Sequence, residues 1–226
     1  MYKKFFIFGI LSLFFNISFL ASGNDEQEIP KYKLTFLGDA TVGKTCILYH
    51  FLYYSFKEEY QATMGLDFFS KNVRIDNQDI RLFLYDIAGQ EKFESLIPMY
   101  TRDANIILLV YDVTSQNSFL HLSKWYKSLT NVKKEEVIFA VVGNKTDIVD
   151  EREVSAEEGK KFAEENGFIF KEVSAKIGDG INELFEVILK EMLKKKLESQ
   201  PPLSQMINFG GEIKTEVGKK VCCCCC

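Results

Sequence analysis

Eight residues constrain this chain more than any other stretch, namely Gly38-Asp39-Ala40-Thr41-Val42-Gly43-Lys44-Thr45. Their G-x-x-x-x-G-K-[ST] spacing is typical of a loop whose consecutive backbone N–H groups surround phosphate oxygens. Glycines at both ends allow positive φ angles and a close approach of the backbone to the anion. Lys44 adds a positive charge for the phosphates, and the Thr45 hydroxyl is a suitable ligand for Mg²⁺. The stretch therefore predicts a phosphate-binding loop.

The segments on either side of this loop support the prediction. Residues 33–37 form a strand-like run before it, and residues 46–52 carry apolar side chains at helical spacing after it. A helix that begins near Lys44 directs the positive end of its dipole at the bound anion. The alternative is an ordinary glycine-rich turn with a surface lysine, which needs neither flanking element.

Length and composition limit the class of protein. The 226 residues suffice for one domain of about 170 residues with additional segments at its ends. A net charge of −4, with no basic stripe in the sequence, gives no electrostatic reason to expect nucleic acid as a partner. Five of the six cysteines form the terminal run 222–226, and only Cys46 lies in the predicted domain, so a disulfide within the domain is excluded. A reducing compartment fits this distribution best.

Residues 1–22 carry a different signal. Lys3 and Lys4 precede sixteen uncharged residues, mostly Phe, Ile and Leu, and small residues follow. This order resembles a signal peptide, although sixteen residues is short against the roughly 20 that a membrane-spanning helix needs. The alternatives are a wrongly predicted start of the gene and a hydrophobic segment that packs elsewhere. Residues 23–30 are expected to form a linker, residues 31–198 the folded domain and residues 199–226 a flexible tail.

From residue 31 onward, strand-like and helix-like stretches alternate. Residues 66–75 and 80–85 flank a predicted hairpin turn at residues 76–79. Residues 104–111 and 137–142 are almost purely apolar, as strands buried on both faces of a parallel sheet should be.

The second half of the chain continues the alternation. One helix is predicted at residues 117–129 and a strand at residues 168–173. Ser155 and Glu158 form a capping box that opens another helix, which Gly167 ends. The last helix carries one apolar stripe, formed by Ile181, Leu184, Phe185, Ile188, Leu189, Met192 and Leu193. The pattern predicts a doubly wound α/β domain whose six-stranded, mostly parallel sheet has one antiparallel edge strand and is flanked by helices.

A second chemical motif, Asp86-Ile87-Ala88-Gly89-Gln90-Glu91, follows a hydrophobic strand. Asp86 is expected at the carboxyl end of that strand, where open α/β sheets bind their ligands. Its carboxylate suits Mg²⁺ held through a water, and the Gly89 N–H suits a γ-phosphate. A turn with Asp and Gly after a strand is common, so the motif gains its meaning from the phosphate-binding loop.

The tetrapeptide Asn144-Lys145-Thr146-Asp147 indicates which base is bound. Guanine presents N1–H and a 2-amino group side by side, so the Asp147 carboxylate accepts both with charge-assisted hydrogen bonds. At about 1.5–3 kcal/mol for each lost hydrogen bond, the pair favours guanine over adenine by at least roughly a hundredfold. Asn144 is expected to brace neighbouring loops, and the methylenes of Lys145 to cover one face of the base. Ser174-Ala175-Lys176 is expected to bring a backbone N–H to the guanine O6. In isolation, the tetrapeptide is also consistent with a solvated polar turn.

Together these motifs resemble those of the Ras-superfamily small GTPases, and within them the Rab family, over about residues 31–196. All five nucleotide motifs of the superfamily are present and in order. Similarity to the Rabs comes from Gly65-Leu66-Asp67-Phe68, from the stretch that begins at Tyr85, and from Phe93 through Tyr100. Tyr60-Gln61-Ala62-Thr63 and Ser95-Leu96-Ile97-Pro98 are similar to the Golgi-associated Rab branch that governs retrograde traffic.

The resemblance implies a role for each matching residue. Gln90 is implied to be the catalytic residue that orients the attacking water, and Phe56 to lie against the guanine. The implied Mg²⁺ ligands are Thr45, Thr63 and, through a water, Asp86. The implied effector surface consists of Phe68, Tyr85 and Tyr100. The implied nucleotide contacts are Asp39, Ala40, Thr41, Val42, Gly43, Lys44, Thr45, Cys46, Phe56, Tyr60, Thr63, Gly89, Asn144, Lys145, Asp147, Ser174, Ala175 and Lys176.

Three positions depart from the Rab pattern. Most Rabs have Trp at the position of Tyr85 and Thr at that of Ile87, and many have Ser or Gly at that of Ala40. Because Tyr85 belongs to the implied effector surface, the departures affect the choice of effector more than catalysis.

The resemblance also implies partners and a location. The partners are guanine nucleotide, an exchange factor, a GTPase-activating protein, a GDP-dissociation inhibitor and effectors, with no nucleic acid among them. Geranylgeranyl groups on two cysteines, most simply Cys225 and Cys226, would anchor the chain to a membrane, whereas a metal-binding or oxidation-prone tail is the alternative. The expected location is the cytoplasmic face of Golgi or endosomal membranes, in exchange with the cytosol. A working signal at residues 1–22 would instead place the domain in the lumen.

The function that follows is a switch in vesicle traffic that binds GTP or GDP with Mg²⁺, hydrolyses GTP slowly and recruits effectors to membranes. One rival is a nucleotide-binding scaffold that scarcely hydrolyses GTP, against which Gln90 argues. The other is a lumenal or secreted binding protein, which only residues 1–22 favour.

Overall fold

The structure, a computed structural model, describes residues 29–56, 63, 65–89, 97–130 and 132–199. The strands are β1 (Lys31–Leu37), β2 (Leu66–Ile75), β3 (Gln78–Ile87), β4 (Ile106–Asp112), β5 (Ile138–Asn144) and β6 (Ile169–Glu172). The helices are α1 (Lys44–Tyr53), α2 (Ile97–Thr101), α3 (Gln116–Leu120), α4 (Leu122–Lys127), α5 (Ala156–Asn166) and α6 (Ile181–Ser199). Among these helices, none combines the length and apolar character needed to cross a bilayer.

The six strands form one sheet in the order β2-β3-β1-β4-β5-β6. Strand β1 lies parallel to both β3 and β4, and β5 is parallel to β4 and β6. Only β2, at one edge, runs antiparallel to its neighbour β3. This arrangement confirms the predicted doubly wound α/β class with one antiparallel edge strand. It also places the carboxyl ends of all five parallel strands along the same edge of the sheet.

Strand composition explains why the centre of the sheet is covered on both faces. Every residue of β4 and β5 is buried, and their side chains alternate between two hydrophobic cores. Helices α1 and α6 cover the first core, where the rings of Phe51 and Phe185 stack with centroids 3.6 Å apart. Helices α4 and α5 cover the second core through Trp125 and Ala163. The strands are therefore fixed from both sides, and their ends form a rigid frame for the loops.

The hairpin between β2 and β3 is tighter than predicted. The turn consists of Asp76 and Asn77 alone, with φ angles of 47° and 65°, whereas Gln78 and Asp79 already belong to β3. Two successive left-handed residues match the twist of the flanking strands, which explains why Asp and Asn occupy them.

The helix predicted at residues 117–129 is divided at His121. There the backbone N–H of His121 donates to both Asn117 and Phe119, which separates α3 from α4 although Trp125 N–H still bonds the His121 carbonyl. Apolar periodicity does not detect this local tightening of the backbone. The short helix α2 was not predicted either, because its five residues span little more than one turn.

Helix α5 begins and ends as predicted. The Ser155 hydroxyl accepts a hydrogen bond from the Glu158 N–H at 3.2 Å, and the Glu158 carboxylate accepts from the Ser155 N–H at 2.9 Å. Gly167 ends the helix at φ 69°, in the left-handed conformation of a C-terminal glycine. The capping box is therefore confirmed.

Candidate functional site

Loops from five separate parts of the chain meet at the carboxyl edge of the sheet. The phosphate-binding loop follows β1, Asp86 lies at the end of β3, and Asn144 ends β5. Ser174 follows β6 by two residues, and Thr63 lies just before β2, which starts at this edge because it is antiparallel. The predicted site residues thus share one surface.

The phosphate-binding loop has the backbone geometry expected of it. Gly38 and Gly43 both have positive φ angles, of 142° and 95°. A Cβ atom at Gly43 would lie 2.2 Å from Nδ2 of Asn144, so no side chain fits there. Thr41 also adopts a left-handed φ of 65°, a conformation that the sequence did not predict. Helix α1 begins at Lys44, and no side chain of the described residues caps it, which leaves its first N–H groups available to an anion in the loop.

Lys44 is buried within the loop. Its ammonium donates to the carbonyl oxygens of Gly38 at 2.8 Å and Asp39 at 2.6 Å. Burial lowers the pKa of Lys44 to about 8, although the nearby charges of Asp86 and Asp39 act in the opposite direction. An ammonium has three N–H donors, so Lys44 can hold both carbonyls and still donate to a phosphate oxygen. A bound phosphate would stabilise its charged form.

Oxygen atoms converge beside Lys44. Thr45 Oγ1 lies 2.8 Å from Thr63 Oγ1 and donates to Oδ2 of Asp86 at 2.5 Å. Thr63 Oγ1 donates to the same carboxylate oxygen at 3.3 Å, whereas Oδ1 of Asp86 is buried and has no hydrogen-bond partner among the residues that the structure describes. Burial raises the pKa of the Asp86 carboxyl, and the hydrogen bond from Thr45 partly opposes this. Hydroxyl and carboxylate oxygens are the ligands that Mg²⁺ prefers, and a bound cation would stabilise the Asp86 carboxylate, so these residues fit the ion.

Asn144 connects the phosphate-binding loop to the loop after β6. Its Nδ2 donates to the Val42 carbonyl at 2.8 Å, and its Oδ1 accepts from the Ala175 N–H at 3.0 Å. The hydroxyl of Ser174 donates to Oδ1 of Asp147 at 2.6 Å, which orients that carboxylate. The predicted base-recognition residues therefore lie together, with a carboxylate and a backbone turn on adjacent loops.

Asp112 was not predicted as a site residue. It ends β4, is buried, and its Oδ2 pairs with the Lys145 ammonium at 2.5 Å. Oδ1 of Asp112 accepts hydrogen bonds from the backbone N–H and the hydroxyl of Thr114. The ion pair fixes the far end of the Lys145 side chain, so its methylenes are held in one position. The general rule that ligands bind at strand carboxyl ends was the available signal for Asp112.

Two further residues missed from the sequence hold Asp39. Trp125 Nε1–H donates to Oδ1 of Asp39 at 2.7 Å, and His121 Nδ1 lies 2.7 Å from Oδ2. They belong to the α3 and α4 region, more than 80 positions from Asp39. No local pattern relates residues so far apart, although a buried indole N–H usually requires a partner.

The order of these loops agrees with a comparison to known families. A family model described as Ras family matches residues 33–194, well over half of the chain. This chain belongs to the Ras family. It is a Ras-superfamily small GTPase, a class whose members bind guanine nucleotides, typically with Mg²⁺.

The other residues predicted from the family resemblance differ in how far they are buried. Phe56 is exposed, whereas Cys46 is half-buried against the first core, where burial raises the pKa of its thiol. Gly89 packs against the backbone of Asp39 and Ala40. Lys176 follows Ala175 in the loop after β6, where its side chain is exposed. The predictions for Tyr60, Gln90, Cys225 and Cys226 lie outside the described residues.

The predicted effector residues of this Ras-family chain lie on one face of the sheet. Phe68 and Tyr85 oppose each other across β2 and β3, with ring centroids 5.1 Å apart, and Phe68 is half exposed. Thr35 lies beside Tyr85 in the register of β1 and β3, and its hydroxyl donates to the Tyr100 carbonyl at 3.3 Å. The rings of Phe68 and Tyr85 are thus neighbours, and the backbone of Tyr100 lies close to the strand beside them.

Replacement of Asn144 by alanine should destabilise the fold. The Val42 carbonyl and Ala175 N–H would lose their buried partner, at a cost of about 1–3 kcal/mol for each group. Urea denaturation gives the free energy of unfolding. Asn166→Ala is the matched control, because the exposed Asn166 amide donates to the Phe162 carbonyl within its own helix. Equal stability of the two variants would contradict the bridging role.

Proposed function

We propose that this chain is a molecular switch of the Rab branch that binds GTP and GDP with Mg²⁺ and hydrolyses GTP slowly. One observation carries the proposal. Buried Lys44, the oxygen atoms of Thr45, Thr63 and Asp86, and the Asn144 and Asp147 loops converge at one sheet edge. A phosphate cradle, a cation site and a guanine site in that order fit a guanine nucleoside triphosphate.

Different residues of the chain bind different parts of the nucleotide. Lys44 and the first N–H groups of α1 hold the phosphate oxygens, while Asp147 accepts from the guanine N1–H and amino group. Thr45 and Thr63 would hold Mg²⁺ directly and Asp86 through a water. When bound, Mg²⁺ supplies positive charge to the β and γ phosphate oxygens. Asp112 keeps Lys145 beside the base.

Slow hydrolysis is expected because the chain offers no arginine for the transferring phosphoryl group. There are four, and each has a partner elsewhere: Arg74 with Asp79, Arg81 with Asn72, Arg102 with Asp103 and Arg152 with Glu172. None of the four is therefore assigned to a transferring phosphoryl group. Gln90 orients the attacking water, and a GTPase-activating protein supplies the missing positive charge.

The switch itself consists of the two segments that touch the γ-phosphate. Thr63 and Gly89 hold these segments while GTP is bound, and hydrolysis removes the group that both contact. The half-exposed Phe68 beside Tyr85 supports an aromatic effector surface next to these segments. Exchange factors, a GDP-dissociation inhibitor and effectors would distinguish the two states.

The membrane assignment rests on the two ends of the chain. Two prenylated cysteines, Cys225 and Cys226, would anchor the domain on the cytoplasmic face of Golgi or endosomal membranes, because a single lipid chain binds only marginally. The similarity to the Golgi-associated Rabs supports retrograde traffic as the process. If residues 1–22 act as a signal, the domain is lumenal instead.

Asp147→Asn should change the preferred base. The NH₂ group of the introduced amide cannot accept a hydrogen bond from guanine N1–H, but it can donate one to the 2-carbonyl of xanthine. We expect GDP affinity to fall at least roughly a hundredfold, with XDP affinity rising, in nucleotide competition experiments.

The matched control for this experiment is Asp150→Asn, which changes an exposed carboxylate on the same loop. It should leave the preference for GDP intact. Wild-type protein with equal affinity for GDP and ADP would remove the guanine assignment.

Replacement of Cys225 and Cys226 by serine should release the protein from membranes in its native cell, because both lipid attachment sites are lost. Cell fractionation measures the change. Serine at Cys222 and Cys223, within the same cysteine run, is the control and should leave the protein membrane-bound.

Protease treatment of sealed microsomes tests on which side of the membrane the domain lies. A domain that is digested only after detergent is added would be lumenal, which would contradict the cytoplasmic location.

A further inference from the structure

The carboxylate of Asp39 is fully engaged by groups outside the phosphate-binding loop. Trp125 Nε1–H donates to one oxygen and His121 Nδ1 lies within hydrogen-bond distance of the other, both at 2.7 Å. Trp125 is 5% exposed, so its indole N–H is shielded from water and donates to the Asp39 carboxylate instead. His121 lies where α3 ends and α4 begins, which brings both donors to the same carboxylate.

The direction of this carboxylate matters for anion binding. A negative charge in a loop that surrounds phosphates opposes their binding, and the opposition grows as the distance shortens. Hydrogen bonds to a carboxylate are charge-assisted and therefore among the stronger ones. The two donors hold the Asp39 carboxylate toward α3 and α4 and fix the backbone to which it is attached.

The same backbone is in contact with Gly89. A Cβ atom at Gly89 would lie 2.3 Å from the Asp39 carbonyl carbon and 2.4 Å from the Ala40 nitrogen. Gly89 is therefore seated directly on the Asp39–Ala40 peptide, and it is the residue whose N–H we assign to the γ-phosphate. Movement of that peptide would displace Gly89 from its position.

We propose that His121 and Trp125 are positioning residues of the switch, which fix the Asp39–Ala40 peptide as the surface against which Gly89 rests while its N–H binds the γ-phosphate. The inference rests on the proposed function. Loss of either donor weakens the triphosphate state more than the diphosphate state, because the position of Gly89 on this peptide matters most when its N–H has a γ-phosphate to bind. A purely structural link between helix and loop would affect both states equally.

The test compares nucleotide release from wild type, His121→Ala and Trp125→Phe. Trp125→Phe retains an aromatic ring and removes the N–H donor. In each variant, release of a non-hydrolysable GTP analogue should become about tenfold faster and release of GDP only about twofold faster, on the scale of one lost charge-assisted hydrogen bond. His121→Gln keeps an N–H donor and should restore the ratio toward that of wild type.

Tyr126→Phe is the matched control. Tyr126 is adjacent to Trp125 on α4, but its ring packs edge-on against Phe139 and Phe168 in the second core. Removal of its hydroxyl should leave both release rates unchanged.

Trp125 is also the only tryptophan of the chain, so its indole N–H gives a single resonance in ¹⁵N-labelled protein. We expect this resonance to shift between the GDP and GTP-analogue states, and the shift to shrink in His121→Ala. Because His121 is half exposed, that variant decides the question even if Trp125→Phe does not fold.

Three outcomes separate the inference from the proposed function. Equal acceleration of both nucleotides, or no acceleration in any variant that removes a donor, would overturn the positioning role while leaving the switch intact. Wild-type protein that retains neither nucleotide would overturn the proposed function, and the inference with it. The expected difference between the two release rates supports both.

Discussion

The side-chain amide of Asn144 joins loops that are far apart in the sequence, and the geometry of the whole site depends on it. Its N–H reaches the Val42 carbonyl, 102 positions away, and its oxygen reaches the Ala175 N–H, 31 positions away. Because Asn144 ends a strand buried on both faces, its position is fixed by the sheet. The distance between the phosphate-binding and base-binding loops is thus set by one rigid element.

The buried charges of the site explain why it favours a ligand that carries opposite charges. Lys44 and Asp86 are both removed from solvent, and burial acts against the charged form of each. A triphosphate with Mg²⁺ supplies the opposite charges at the same positions. Binding of such a ligand would offset the cost of desolvation of both groups, and loss of the γ-phosphate would remove part of this stabilisation. That difference between two ligand states is the physical basis of the proposed switch.

Local sequence patterns predicted much of the fold. The apolar runs of β4 and β5, the phosphate-binding loop and the capping box at Ser155 each depend on neighbouring residues, and each was confirmed. The pairing of Lys145 with Asp112, and of Asp39 with Trp125, depends instead on which strand and helix lie adjacent in space. Neither pairing has a signature in sequence spacing, which is why both were missed.

Single-turnover release of phosphate from GTP tests the proposed switch most directly. With Mg²⁺ present, purified wild-type protein should release phosphate slowly but above the rate of GTP in buffer, and chelation of Mg²⁺ should stop it. Gln90→Leu should retain GTP and release phosphate more slowly still, because the attacking water is no longer oriented. Wild-type protein that binds GTP without any release above background would instead support a non-hydrolysing scaffold and contradict the proposed switch.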